Sequence, residues 1–112
     1  MIQLSVLDQS PVREDGDASQ ALAETLELAR HAESLGYARF WVSEHHSFNG
    51  LAGSAPEVLL GALGQTTSTI RIGSGGIMLP HYSAFKIAEV ASLLACLFPG
   101  RVDLGLGRAP GT

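Results

Sequence analysis

Two hydrophobic periods alternate along this chain, and that alternation constrains its fold more than any other feature. Short apolar, partly β-branched segments recur at 2–7 (IQLSVL), 39–43 (RFWVS), 70–79 (IRIGSGGIML) and 101–107 (RVDLGLG). Between them, apolar residues return at three- and four-residue steps over about 18–35, 54–67 and 83–98. The first period is that of strands and the second that of amphipathic helices. Strands separated by helices are joined by crossovers, which makes neighbouring strands parallel and covers them with helices. Two architectures satisfy this pattern equally well, a doubly wound open sheet and part of a (β/α)8 barrel.

Local signals mark the element ends. Ser10–Pro11 closes the first strand, and Asp17 with Gln20 resembles a capping box for the first helix. Leu22, Leu26, Ala29, Ala32 and Leu35 form the apolar stripe of that helix, and Gly36 is placed to end it in the left-handed conformation. Ser54 is expected to cap the second helix, with Pro56 in its first turn. Ile87, Ala91, Leu94 and Leu97 or Phe98 form the stripe of the third, which Pro99–Gly100 stops. Phe40 and Trp41 are expected in core or interlayer packing, and Cys96, among leucines, as an inert buried thiol.

Bulk properties exclude several classes of function. With 112 residues, 46% of them hydrophobic, the chain suits one small domain with a real core. Seven scattered basic residues and a net charge of -4 argue against binding nucleic acid. The single cysteine excludes an internal disulfide framework and suits a reducing compartment. No apolar run is long enough to span a bilayer, and the first residues lack the basic region and cleavage site of a secretory signal. A soluble cytoplasmic protein is the expectation.

In either architecture, ligands gather at the carboxyl ends of parallel strands. Those ends here are LDQSP, VSEHHSFNG, GSGGIMLPHY and GLGRAPGT, each rich in polar residues, glycine or proline. Glu44, His45 and His46 follow the second strand directly. Side chains of an extended segment alternate, so Glu44 and His46 share a face and His45 turns away. HExxH is absent, and His81 is the only other imidazole that the order of strands brings near, so no metal ligand is assigned. The triplet reads as an acid/base or ligand-contacting cluster, with hydrogen bonding to loop backbone as the alternative. Gly73, Gly75 and Gly76 in one strand predict a bulge or the close approach of something flat. GLGRAPG lacks the third glycine of a dinucleotide fingerprint, because position 110 is proline. Arg108 is a fixed positive donor for an anionic group or a rim arginine in water.

Taken in order and at their spacing, SVLDQSPV, LGYARFWVSEHH, LAGSAPEVLLGAL, IRIGSGGIMLPHYSAFKIAE and LFPGRVDLGLGRAPGT resemble the N-terminal part of the bacterial luciferase-like family of flavin-dependent monooxygenases. The resemblance implies an α/β fold that is the N-terminal half, about four βα units, of a TIM (β/α)8 barrel with outer helices. It also implies reduced FMN at the carboxyl end of the barrel, supplied by a separate flavin reductase. Dioxygen activation through a flavin peroxide and oxidation of a small organic substrate such as an aldehyde would follow. By the same resemblance His45 is catalytic within a cluster that includes Glu44 and His46. Ser74, Gly75 and Gly76 map to a strand-three bulge that often holds a non-prolyl cis peptide under the flavin ring, and Arg108 to a phosphate contact. Gly107 stands where luciferase has a reactive cysteine, and Ser47 where it has an aromatic, which points away from light emission and long-chain aldehydes.

A full barrel needs about 250 residues. The 112 residues are therefore expected to be a fragment truncated after strand four, or to self-associate through exposed strand edges. The same resemblance implies a homodimer through the helices after strands two and three. The alternatives are a deazaflavin-dependent oxidoreductase and a non-catalytic half-barrel module kept for assembly.

Overall fold

The computed structural model describes residues 1–110. The elements are β1 (Ser5–Asp8), α1 (Ala18–Ser34), β2 (Arg39–Val42), α2 (Pro56–Thr66), β3 (Arg71–Met78), a single 3-10 turn (Leu79–His81), α3 (Ala84–Leu97) and β4 (Val102–Gly107). All three strand pairings are parallel, and the order is β1-β2-β3-β4. That order decides between the two architectures. A doubly wound sheet reverses direction at a switch point, whereas these strands follow one another without reversal, as they do around a barrel.

The helices lie on one face of the sheet and the core sits between. Phe40 and Val42 of β2 and Ile72 of β3 are buried with Ala29, Ala32, Leu59, Leu60, Leu63, Leu94 and Phe98. Gly64 lets α2 approach closely, since a Cβ there would fall 2.3 Å from the Phe98 ring. The other face carries Leu7, Arg39, Trp41, Arg71, Gly73 and Asp103, which are in register across the four strands. At its lower end Asp103 accepts from Arg39 Nε at 2.7 Å and from Arg71 Nε and Nη2 at 2.8 and 2.7 Å. The Arg71 hydrogen bonds hold the Asp103 carboxyl below its usual range against the opposing effect of burial, and Arg39 adds to them. Trp41 is half-buried on this inner face, under the Arg39 guanidinium at 5.3 Å, and not in the core.

Several sequence expectations are met. Asp17 caps α1 by accepting from Gln20 N at 2.9 Å, and Gly36 follows the helix at φ +84. Others are corrected. Ser54 is not the cap of α2: Ala55 is, without a side-chain bond, and Pro56 opens the helix. Ser83 caps α3 instead, through Lys86 N at 3.0 Å. Leu35 is exposed, off the buried stripe of α1, and of the two candidates at the end of α3 it is Phe98 that is buried and Leu97 that is exposed. Cys96 is exposed, not buried: α3 buries Ile87 and Leu94, and the cysteine lies on the opposite side. No helix among the described residues is long and apolar enough to cross a membrane.

Candidate active site

The polar ends of β2 and β3 meet. Glu44, two residues past β2, is 2% exposed although it is a carboxylate. It survives burial because its oxygens are satisfied. Oε1 accepts from the Met78 backbone N–H at 3.0 Å and from the Tyr82 hydroxyl at 2.9 Å, and Oε2 lies 2.6 Å from His46 Nε2. Burial pushes the Glu44 carboxyl up, but these three contacts outweigh it and leave the group below its usual value. Glu44 therefore stays ionised and fixes the His46 ring. The 3-10 turn after β3 brings His81 against that ring, with centroids 4.7 Å apart.

Glu44 and His46 lie on one side, as expected, joined by their 2.6 Å contact. The His45 ring is half-buried, and its backbone N–H donates to the Gly53 carbonyl at 2.8 Å. Glu44 thus accepts from backbone at Met78, the last residue of β3, and also organises an imidazole.

Next to this cluster, β3 bulges. Its register against β4 shifts between Ser74 and Ile77, and the Gly75–Gly76 peptide is cis. Ser74 is buried and donates through Oγ to the Gly105 carbonyl at 2.9 Å. Gly76 is confined, since a Cβ would lie 3.1 Å from Gly105 O. Gly75 is exposed, and a Cβ there would meet Trp41 and Leu7 only at ordinary contact distances of 3.8 and 3.9 Å. No neighbour in the described residues demands glycine at 75, and the open space lies over the inner face. Ser43 Oγ, one residue before Glu44, is the only buried side-chain polar atom among the described residues without a hydrogen-bond partner. Arg108 is exposed beyond the end of β4.

Tyr82 and Glu57 belong to the cluster but were not singled out from the sequence. The Tyr82 hydroxyl lies 2.9 Å from Glu44 and 3.0 Å from Glu57, and burial together with both carboxylates pushes its pKa well above the usual tyrosine range. Tyr82 falls in the strand end GSGGIMLPHY, and only the 3-10 turn reveals its direction.

Residues 2–112 match the family described as luciferase-like monooxygenase. The chain belongs to that family. Among its relatives, the N-acetyl-S-alkylcysteine monooxygenase of Bacillus subtilis is 57% identical over 99% of this chain and 33% of its own length. The oxygenating constituent of a 3,6-diketocamphane monooxygenase from Pseudomonas putida, solved in complex with FMN, superposes with a TM-score of 0.90 at 26% identity, over 97% of this chain and 30% of its own. An F420-dependent secondary alcohol dehydrogenase, solved with an F420–acetone adduct, gives 0.72 at 25% identity, over 94% and 31%. This luciferase-like chain spans about a third of the length of the relatives it matches. Its four parallel strands are the corresponding arc of their barrel.

Proposed function

We propose that this luciferase-like chain is the N-terminal part of a flavin-dependent monooxygenase that oxidises a small organic substrate with reduced FMN and dioxygen. The observation that carries this reading is the junction of a fixed Glu44–His46 pair with an open, glycine-floored inner face at Gly75, both at the carboxyl ends of adjacent strands. The open space at Gly75 supports a flat ring lying there, and the unpartnered Ser43 Oγ beside the cluster offers a polar group to a ligand. In this reading Ser74, Gly75 and Gly76 form the floor under the ring, and Arg108 holds the phosphate. When bound, reduced flavin supplies the electrons and, with dioxygen, the oxidising equivalent.

The chain's own residues position and move protons. Glu44, anchored by Met78 N–H and Tyr82, keeps the His46 ring fixed through Nε2. His45, held at its backbone by Gly53, presents its ring from the same loop and acts as the catalytic acid/base. A separate reductase provides reduced flavin in the cytoplasm, a compartment that suits the lone Cys96. Val58 on α2 and Phe85 and Leu93 on α3 are exposed apolar residues, which supports a homodimer through these two helices.

Titration of reduced FMN under nitrogen, followed by thermal unfolding, tests the reading. Saturable binding and a raised Tm are expected, both weakened in Arg108→Ala. The relative solved with F420 supports a second reading, a deazaflavin-dependent oxidoreductase, which deazaflavin binding in preference to FMN would select. Absence of affinity for either, in a stable oligomer indifferent to His45→Ala and Arg108→Ala, would leave only a half-barrel assembly module.

A further inference from the structure

The geometry points to a divalent transition-metal site, of zinc type, formed by Glu44, His46 and His81. The chain gives no ligand spacing for such a site, because His46 and His81 lie 35 positions apart. The fold supplies it: one ligand atom from each of the three side chains lies within 4.8 Å of the other two. Two imidazoles and one carboxylate, with a fourth position left to water, are the donor set of an open zinc site. Zinc bonds of about 2.0–2.2 Å set tetrahedral ligand atoms about 3.3–3.5 Å apart. The Glu44–His46 contact of 2.6 Å would open slightly, and the wider ones would close from at most 4.8 Å. His81 is exposed on a single turn, where it meets the Pro110 carbonyl and the His46 ring, and an exposed side chain can make that adjustment.

The support behind the carboxylate is already built. Glu44 Oε1 is held by Met78 N–H and Tyr82 Oη, which leaves Oε2, facing His46 Nε2, as the ligand atom, as outer hydrogen bonds hold the ligands of metal sites. His46 is half-buried and His81 exposed, so a cation can enter from solvent. A bound ion would occupy the two atoms, Glu44 Oε2 and His46 Nε2, that otherwise share a proton. The metal would thus tie the end of β2 to the turn after β3. None of this rests on the flavin reading, and the test is run without flavin.

Co²⁺ is the probe, added to the metal-free protein, with Zn²⁺ as competitor. The expected result is saturable visible d–d absorption of a four- or five-coordinate ion at one equivalent, displaced by Zn²⁺, and a rise in Tm with either metal. His81→Ala, which changes an exposed side chain, and His46→Ala abolish both signals while the far-UV circular dichroism is kept. His31→Ala, on the distant α1, keeps them. No absorption, or absorption and a thermal shift that survive His46→Ala or His81→Ala, would overturn the site.

Discussion

At the residue scale, two buried or semi-buried carboxylates organise this protein, and each does so by accepting backbone N–H groups. Glu33, near the end of α1, accepts from Ser68, Thr69 and Ile70 N at 2.8, 2.6 and 3.0 Å, and so fixes the turn that feeds β3. Burial raises its pKa, but the donors outweigh burial and hold it at about 2, against 4.5 for a free glutamate. A depressed carboxyl stabilises the fold above its unfolded value and loses that contribution as pH falls through the folded one. Stability should therefore fall between pH 4.5 and about 2, and Glu33→Gln should flatten that part of the profile. At neutral pH the same variant should cost about 1–3 kcal/mol, read by urea unfolding, because it removes a charged acceptor from three N–H groups. A profile unchanged by Glu33→Gln would show that these donors are satisfied by water. Glu33 carries no signature in the sequence, where it is one more acidic residue on an amphipathic helix. The same holds for Asp103, whose arginine partners at 39 and 71 come from other strands.

At the element scale, the glycines of β3 separate into positions required by packing and a position left open. A Cβ at Gly73 would fall 2.4 Å from Asp103 O and 2.6 Å from the Trp41 ring, so Gly73→Ala should destabilise by about 3 kcal/mol. Gly75→Ala meets only ordinary contacts at 3.8 and 3.9 Å and should leave stability within about 0.5 kcal/mol. In the flavin reading it should instead lower FMN affinity on the order of 10-fold, about 1.4 kcal/mol. Unfolding and binding measured on both variants separate the two roles, and a Gly75→Ala protein that binds FMN unchanged would remove the ring from this floor. The glycine run itself was legible as a bulge. Which glycine answers to the partner strand and which to open space was not, because that depends on the β4 register.

For the whole molecule, four strands in barrel order leave an inner face and two strand edges without cover among the described residues. Leu4 and Leu7 at one edge and Leu106 at the other are more than half exposed. On the outer helices Val58, Phe85 and Leu93 are exposed apolar residues, and this surface favours association through them. Sedimentation velocity should find a concentration-dependent dimer or larger species, and Val58→Asp with Leu93→Asp should shift it towards monomer. A monomer at all concentrations would count against the helix-mediated pairing.

The sequence by itself determined the alternation of strands and helices, the caps at Asp17 and Gly36, the bulge in β3 and the shared face of Glu44 and His46. All of these follow from periodicity or steric preference within a few residues of chain. The tertiary structure decided the barrel order of the strands, the exposure of Cys96, the inner-face ion pairs and the meeting of His81 and Tyr82 with Glu44. Those depend on which distant segments the sheet register brings together, and no local pattern records a contact across 30 or more residues.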